Sequence, residues 1–406
     1  MILLFGILPD QLLDEVSLNS KGVIQNAANA LQGCFIEGLG SLYEDVQILN
    51  FPYVSSFPLM YKAIHFPSCE LKIPLQSGKI VRGKSFSFST IVFLKDFIKE
   101  QKAFYHLKRI LNSKEDETIV IYACYPPFLE ACRRIKKIFP KTKVILIVPD
   151  LPQFMSAKMD LTQIIKKRYY RRGKVFDAID GFVLLSKYMC ELLPINNKPW
   201  VVIEGMYKEA YDQTIEYHNK KVIMYSGTLA ERYGIMNLVN AFKLEILSGY
   251  QLVICGTGGC ADTISNLSKT YKNIVYLGQR ERSEVLDLQR HASLLVNPRT
   301  PEGEFTKYSF PSKVMEYFAS SVPTMMYRLP GIPDEYYNYC YTLDEISPES
   351  IANTICKVLS QSDELLIEKG KAARNFILQK KSPRIQCSQF VQLLSEIRIN
   401  GSGIIK

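Results

Sequence analysis

Several signatures that would assign a chemistry at once are missing from this 406-residue chain. No DxD triplet occurs, so the usual carboxylate clamp for a divalent metal on a nucleotide diphosphate is absent. The ten cysteines (Cys34, Cys69, Cys124, Cys132, Cys190, Cys255, Cys260, Cys340, Cys356 and Cys387) include no CxxC pair. Several lie in apolar strand-like runs, so they read as reduced core residues of a cytosolic protein, not as a disulfide framework or a zinc site. The four histidines, His65, His106, His218 and His291, have no metal-ligand spacing, and no metal site is expected. Neither a Walker loop nor a nucleophile elbow appears. No apolar run approaches the roughly 18–20 residues that a membrane span needs. The opening "MILLFGIL" lacks a basic lead-in and a small-residue cleavage site, and reads as a strand, not a signal peptide.

What is present is an ordinary globular composition, 47% hydrophobic and 22% charged. The length exceeds what one core usually supports, which predicts two domains. A net charge of +10 suits acidic partners such as phosphorylated ligands or an anionic membrane surface. The basic residues are scattered, without an aromatic-interleaved nucleic-acid motif, so no nucleic acid is expected. Short apolar runs alternate with helical patterns. In the first half they are "MILLFGIL", "VQILNF", "TIVIYACY", "KVILIVPD" and "GFVLLS"; in the second, "KVIMYSG", "YQLVICG", "NIVYLG", "ASLLVNP" and "VPTMMY". Continuous apolar strands alternating with helices predict parallel sheets covered on both faces, an α/β chain of two doubly wound domains. The boundary falls near "INNKPWVVIEGMY", residues 195–207. Residues 84–117 read as helices, 208–220 as a polar loop, and "GSGIIK" as a frayed tail.

In open parallel sheets ligands bind outside the carboxyl ends of the strands. Four loops of the second series qualify. In "YSGTLAERYG", Ser226, Gly227 and Thr228 form a small-residue turn with free N–H groups, an anion nest to which Arg232 adds a charge-assisted bond; a tight packing turn is the alternative. In "CGTGGC" the glycines allow close backbone approach, but the third glycine of a dinucleotide fingerprint is missing. "YLGQRERSEV" offers backbone groups to a base edge, or is a capped turn with Ser283 as N-cap. The fourth, "NPRTPEGEFTKYSFPSKVMEYFASS", runs into a helix with Pro311 in its first turn and Glu316 amid apolar neighbours. A carboxylate there needs a partner: a ligand hydroxyl pair, or Lys313 three residues earlier. Glu302 and Glu304 sit upstream in a polar loop. The basic run "KKRYYRRGK", residues 166–174, is either a solvated helix face or a contact for anionic lipid headgroups.

In this order, "VVIEG", "SGTLAERYG", "LVICGTGG", "YLGQ" and "NPR…FPSKVMEYFASSVP" resemble the retaining glycosyltransferases of family 4. The likeness spans almost the whole chain and is strongest over 201–330. It implies the GT-B fold: two Rossmann-like domains facing a cleft, an acceptor-binding domain over 1–203 and a donor-binding domain over 204–379, with a helix over about 380–406 packing back on the first. It implies a nucleotide diphosphate sugar as co-substrate, no other cofactor and no metal. By similarity Glu316 matches the second glutamate of the family's E-x7-E motif, which holds the ribose hydroxyls. Ser226, Gly227, Thr228 and Arg232 match the diphosphate turn. Gly256 and Gly278 fall in the two following loops, and Arg299, Phe310, Ser312 and Lys313 in the fourth. Tyr308 stands where the first glutamate of that motif belongs, and Tyr233 where the phosphate turn usually has lysine. Glu302, Glu304 or the backbone of 303–306 then takes the sugar contacts, and Asp150, in "VPDLPQF", stands in for the family's histidine.

The "FPSK" variant occurs in cell-surface polysaccharide enzymes of the family. The implied reaction is therefore hexosyl transfer, with retention, from a nucleotide sugar to a saccharide acceptor that is lipid-linked, in capsule, exopolysaccharide or O-antigen synthesis. The expected location is cytoplasmic and peripheral to the inner face of the membrane. A non-catalytic GT-B partner subunit and a nucleotide-sugar epimerase are the alternatives.

Overall fold

The computed structural model describes residues 1–21, 26–114, 117–151, 174–209 and 221–401. The basic run at 166–174 lies outside them except for Lys174, as do most of the 208–220 loop and the tail from 402. The chain divides into two units: Met1–Glu204 with Pro383–Lys406, and Gly205–Ser382. Among the described residues no helix is long and apolar enough to cross a membrane.

The first unit contains β1 (Ile2–Phe5), β2 (Gln47–Asn50), β3 (His65–Phe66), β4 (Cys69–Pro74), β5 (Ile80–Ser85), β6 (Phe88–Ser89), β7 (Thr118–Tyr122), β8 (Lys143–Val148), β9 (Gly181–Leu184) and β10 (Trp200–Val202). Eight of them form one sheet in the order β10-β9-β8-β7-β1-β2-β5-β4. Its pairings are parallel except β4 with β5. β1, β7 and β9 are buried along their whole length, as strands covered on both faces must be, and their sequences are apolar accordingly. The antiparallel edge is different. β4 and β5 alternate exposed and buried positions, and Glu70, Lys72, Arg82 and Lys84 charge the rim, which discourages further strand pairing.

This edge corrects the helical reading of 84–117. Ser85 completes β5, β6 pairs with β3, and the helix is confined to Leu94–Leu111. The stretch "KSFSFS" alternates with period two, the strand signature. The helix Pro383–Gly401 packs on the helix Asn26–Leu42 within this unit. The close approach needs Gly38, because a Cβ there would run into Cys387.

The second unit is one parallel sheet: β11 (Val222–Ser226), β12 (Gln251–Cys255), β13 (Ile274–Gly278), β14 (Leu294–Asn297), β15 (Thr324–Tyr327) and β16 (Tyr341–Leu343). The order is β13-β12-β11-β14-β15-β16. That is the doubly wound 3-2-1-4-5-6 arrangement, in which the winding reverses between the first and fourth strands and opens a crevice at their carboxyl ends. Alternation along each strand feeds two cores. Ile223 and Tyr225 join Val296 and Phe318 on one face, while Met224 joins Val253, Leu295 and Tyr317 on the other. The helix Lys313–Ala319 buries Val314, Met315, Tyr317 and Phe318, as its apolar wrap predicts. It begins two residues after Pro311, with Ser312 in the N-cap position and no side-chain cap.

Candidate functional site

The reversal point lies between β11 and β14, so the residues following those strands are the first to consider. Ser226 ends β11 and is buried. Its N–H donates to the Tyr317 hydroxyl at 2.9 Å, and its Oγ accepts from Gln289 Nε2 at 2.9 Å. Gly227 N–H donates to Cys255 O at 2.9 Å, and Leu229 N–H to Thr257 O at 2.9 Å. The expected nest of free N–H groups is therefore corrected: the amides of Ser226 and Gly227 are both used. The carbonyls at and just after the end of β12 take the Gly227 and Leu229 donors and the Tyr317 hydroxyl takes that of Ser226, which leaves neither of the first two amides for a nest.

What the turn does provide is space. Gly227 has φ 143° and Gly256 φ 135°, backbone that only glycine adopts easily. A Cβ on Gly256 would overlap Gly227 O, and a Cβ on Gly227 would lie 2.6 Å from Lys313 Nζ. The two glycines bring the loops after β11 and β12 together and leave room for an ammonium. Gly256 N–H in turn donates to Gly278 O at 2.8 Å, which links the third loop to the other two.

Lys313, the first residue of its helix and half-buried, donates from Nζ to the Tyr225 hydroxyl at 2.8 Å and sits 3.9 Å from that ring's centroid. Burial first, then the Arg299 charge, pulls its pKa down to about 7, against the opposing pull of Glu316. Arg299, buried beyond β14, donates to Ser309 Oγ at 2.6 Å and lies over the rings of Phe305 and Tyr233, 4.6 and 5.6 Å from their centroids. Arg232 is exposed, stacks 4.9 Å from the Tyr233 centroid and donates to its hydroxyl at 3.0 Å. Next to this group Asn297 is buried at the end of β14, and its Nδ2 has no partner among the described residues.

Glu316 is half-buried in the first turn of the same helix. Its Oε1 accepts from Arg282 Nη2 at 2.7 Å and Nε at 3.3 Å. The partner of this carboxylate is thus Arg282, not Lys313, and the surroundings are less apolar than the sequence suggested. Both bonds reach one oxygen, and Oε2 accepts none among the described residues. The helix carrying Arg282 starts at Arg282 itself with Glu281 in the N-cap position, which corrects the expectation of Ser283 as cap.

The remaining expected residues divide. Thr228 and Glu302 are exposed loop positions, and Glu304 is exposed at the start of a short 3-10 helix, Glu304–Thr306. Phe310 is buried against Tyr336, with centroids 5.4 Å apart, and belongs to the core, while Ser312 is exposed. Asp150 is exposed in the first unit, just past β8. After burial, its charge is the next cause raising the Cys124 thiol, to about 12, and the Tyr122 hydroxyl beyond the usual tyrosine range. Among the described residues no group of three or more His, Cys, Asp or Glu is placed to hold a metal ion.

Residues 207–376 match the family model "Glycosyl transferases group 1". No curated protein matches the chain. Among solved structures, the sucrose-phosphate synthase of Thermosynechococcus elongatus is similar with TM-score 0.62 and 14% identity, over 98% of this chain and 99% of that one. A glycosyltransferase from Rickettsia africae gives TM-score 0.62 and 13% identity, over 98% of each chain. The catalytic domain of starch synthase IV from Arabidopsis thaliana, bound to ADP and acarbose, gives 0.60 and 9%, again over 98% of each. At such identities the likeness shows the fold, which is GT-B. The family match over the second unit supplies the activity, and the chain is a glycosyltransferase whose group 1 domain is residues 207–376.

Proposed function

We propose that the chain transfers a hexosyl group, with retention, from a nucleotide diphosphate sugar to a lipid-linked saccharide in surface polysaccharide assembly. The observation that carries the donor reading is the set of cations at the reversal point. Lys313 Nζ stands where Gly227 lacks a side chain, with Arg299 and Arg232 held on neighbouring rings. A diphosphate seated there develops charge as the glycosidic bond breaks, and fixed cations stabilise that charge without reorganising. In this reading they do the work that a metal does elsewhere. Oε2 of Glu316, which accepts no hydrogen bond among the described residues, accepts from the ribose hydroxyls. The ADP held by the starch synthase structure supports a nucleoside diphosphate as the ligand class. Glu302, Glu304 or the backbone of 303–306 takes the sugar, and Asp150 serves on the acceptor side. The "FPSK" segment, with Lys313 in it, supports the polysaccharide assignment.

A thermal-shift series tests the donor reading. Nucleoside diphosphates at about 100 times Kd should add about 2.7 kcal/mol, a shift of several degrees. The shift should persist in a chelator. A shift that vanishes with chelator, or none with any nucleotide, refutes the proposed site.

A further inference from the structure

The first unit carries a second small core apart from its main sheet. Leu8, Val16, Val54, Tyr61, Phe66 and Phe88 pack together, and Lys99 anchors them from below, donating to Pro52 O at 2.6 Å with Nζ 4.0 Å from the Phe88 centroid. Three chain segments are pinned over this core. Lys21 N–H donates to Met60 O at 3.0 Å, Lys62 N–H to Asn19 O at 2.9 Å, Phe57 N–H to Thr90 O at 2.9 Å, and Thr90 N–H to Ile64 O at 3.0 Å. Residues 18–21, 57–64 and 91–97 are therefore neighbours on one rigid mount.

These segments expose Leu59, Met60, Ile64, Phe93, Leu94 and Phe97. One exposed apolar residue is unremarkable, but several on adjoining backbone mark an interaction surface. Phe93 is the extreme case, 89% exposed, with φ 70°. A bulky residue in left-handed backbone is strained, and an exposed aromatic forgoes its burial. Among the described residues nothing covers the Phe93 ring. The helix Leu94–Leu111 then places Phe97 one turn beyond Phe93 on the same face.

The charges choose the partner. Within the three segments the cations are Lys21, Lys62 and Lys95, and the one acid is Asp96, which accepts from the Tyr125 hydroxyl at 2.5 Å. Lys21 Nζ is fixed to Pro58 O at 2.8 Å and Lys62 Nζ to Leu18 O at 2.9 Å, which holds both ammoniums against the apolar residues. Two copies of such a face would set like charges against each other. Anionic headgroups complement it, at the depth where apolar tips enter the acyl boundary. We infer that this face docks on an anionic lipid bilayer, with Phe93 as the inserting tip. The inference deepens the lipid-linked-acceptor reading and rests on it for its purpose, while its observations are independent of the donor site.

Flotation of the full chain with phosphatidylcholine vesicles, with and without phosphatidylglycerol, tests it. Binding should require the anionic lipid and weaken with salt. Phe93→Asp combined with Phe97→Asp should lower it about tenfold or more, since burying one Phe is worth roughly that factor. Lys21→Gln with Lys62→Gln should also lower it. Both pairs should keep the melting temperature and the nucleoside diphosphate shift, so that a failed donor site and a failed docking face give different results. In Phe93→Trp, emission should shift to the blue on anionic vesicles. Wild-type protein that does not float, Asp variants that float as well as wild type, or a concentration-dependent dimer that Phe93→Asp dissolves, each overturns the inference.

Discussion

Donor binding should take up a proton, and Lys313 is the reason. In the free protein, burial and Arg299 hold its pKa at about 7, below the ordinary lysine value of 10.5. A diphosphate beside Nζ reverses the balance by favouring the ammonium. At pH 8 a group of pKa about 7 is roughly one-tenth protonated, so binding should take up about 0.9 proton. The terminal phosphate of the nucleotide, with its second pKa near 6, is already ionised at that pH and contributes little. Titration calorimetry in buffers of different ionisation enthalpy reads the uptake as a slope. Over the same range Kd should rise about tenfold per pH unit, one proton per binding event. The free protein has the matching sign. Because the folded pKa is depressed, the unfolded chain binds more protons between pH 7 and 10.5, and stability rises with pH across that window. Lys313→Met should remove the uptake and flatten both dependences. Tight binding with zero uptake in the wild-type protein would show that no phosphate reaches Nζ.

Glu316→Gln should weaken nucleotide binding by about 1.5–3 kcal/mol, the range for hydrogen bonds to charged groups. Its melting temperature should barely move, because an exposed pair like that with Arg282 contributes only about 0–1 kcal/mol; normal binding with a large drop in melting would refute the ligand role. Tyr317→Phe should cost about 1–3 kcal/mol in urea unfolding, since it leaves the buried Ser226 N–H without its acceptor. Gly256→Ala should cost about 1–3 kcal/mol from φ alone, with the Gly227 O overlap added, and should abolish nucleotide stabilisation; wild-type values in both assays would mean that the loops can separate.

The strands with continuous apolar sequence were legible because burial on both faces, in all of them but the edge strand β13, leaves little choice of residue. "KVIMYSG" and "ASLLVNP" could hardly be anything but inner strands, and they became β11 and β14. The β4–β5 edge was not legible. One of its faces meets water and its charges interrupt the apolar pattern, which leaves the short period-two alternation of "KSFSFS" as its one local signal. The same division holds at the site. Gly227 and Gly256 signal themselves locally, because a turn after an apolar strand has a known meaning. Their partners do not. Ser226 meets Tyr317 across 91 positions, Lys313 meets Tyr225 across 88, and Arg282 meets Glu316 across 34. No periodicity or spacing rule couples residues so far apart, so the used amides of the turn and the true partner of Glu316 emerge only from the fold.

Tyr233 shows how a departure from a pattern can conceal a function. In the sequence it reads as a loss, an aromatic where a phosphate turn would carry a cation. In the structure its ring supports two guanidinium groups, Arg232 at 4.9 Å and Arg299 at 5.6 Å, and packs edge-on to Phe305 at 6.1 Å. Lys313 rests likewise on Tyr225. A ring face orients a cation through its quadrupole but carries no net charge, so it does not neutralise the cation as a carboxylate does. The positive field of the two guanidinium groups therefore survives at the carboxyl end of the sheet, while Lys313, with its pKa near 7, gains its full charge only beside an anion. Preorganised charge of this kind is what a departing diphosphate requires. In the proposed site the charge that a turn lysine would carry is thus divided between two guanidinium groups, from the loop after β11 and the loop after β14, and the proton that Lys313 takes up on binding.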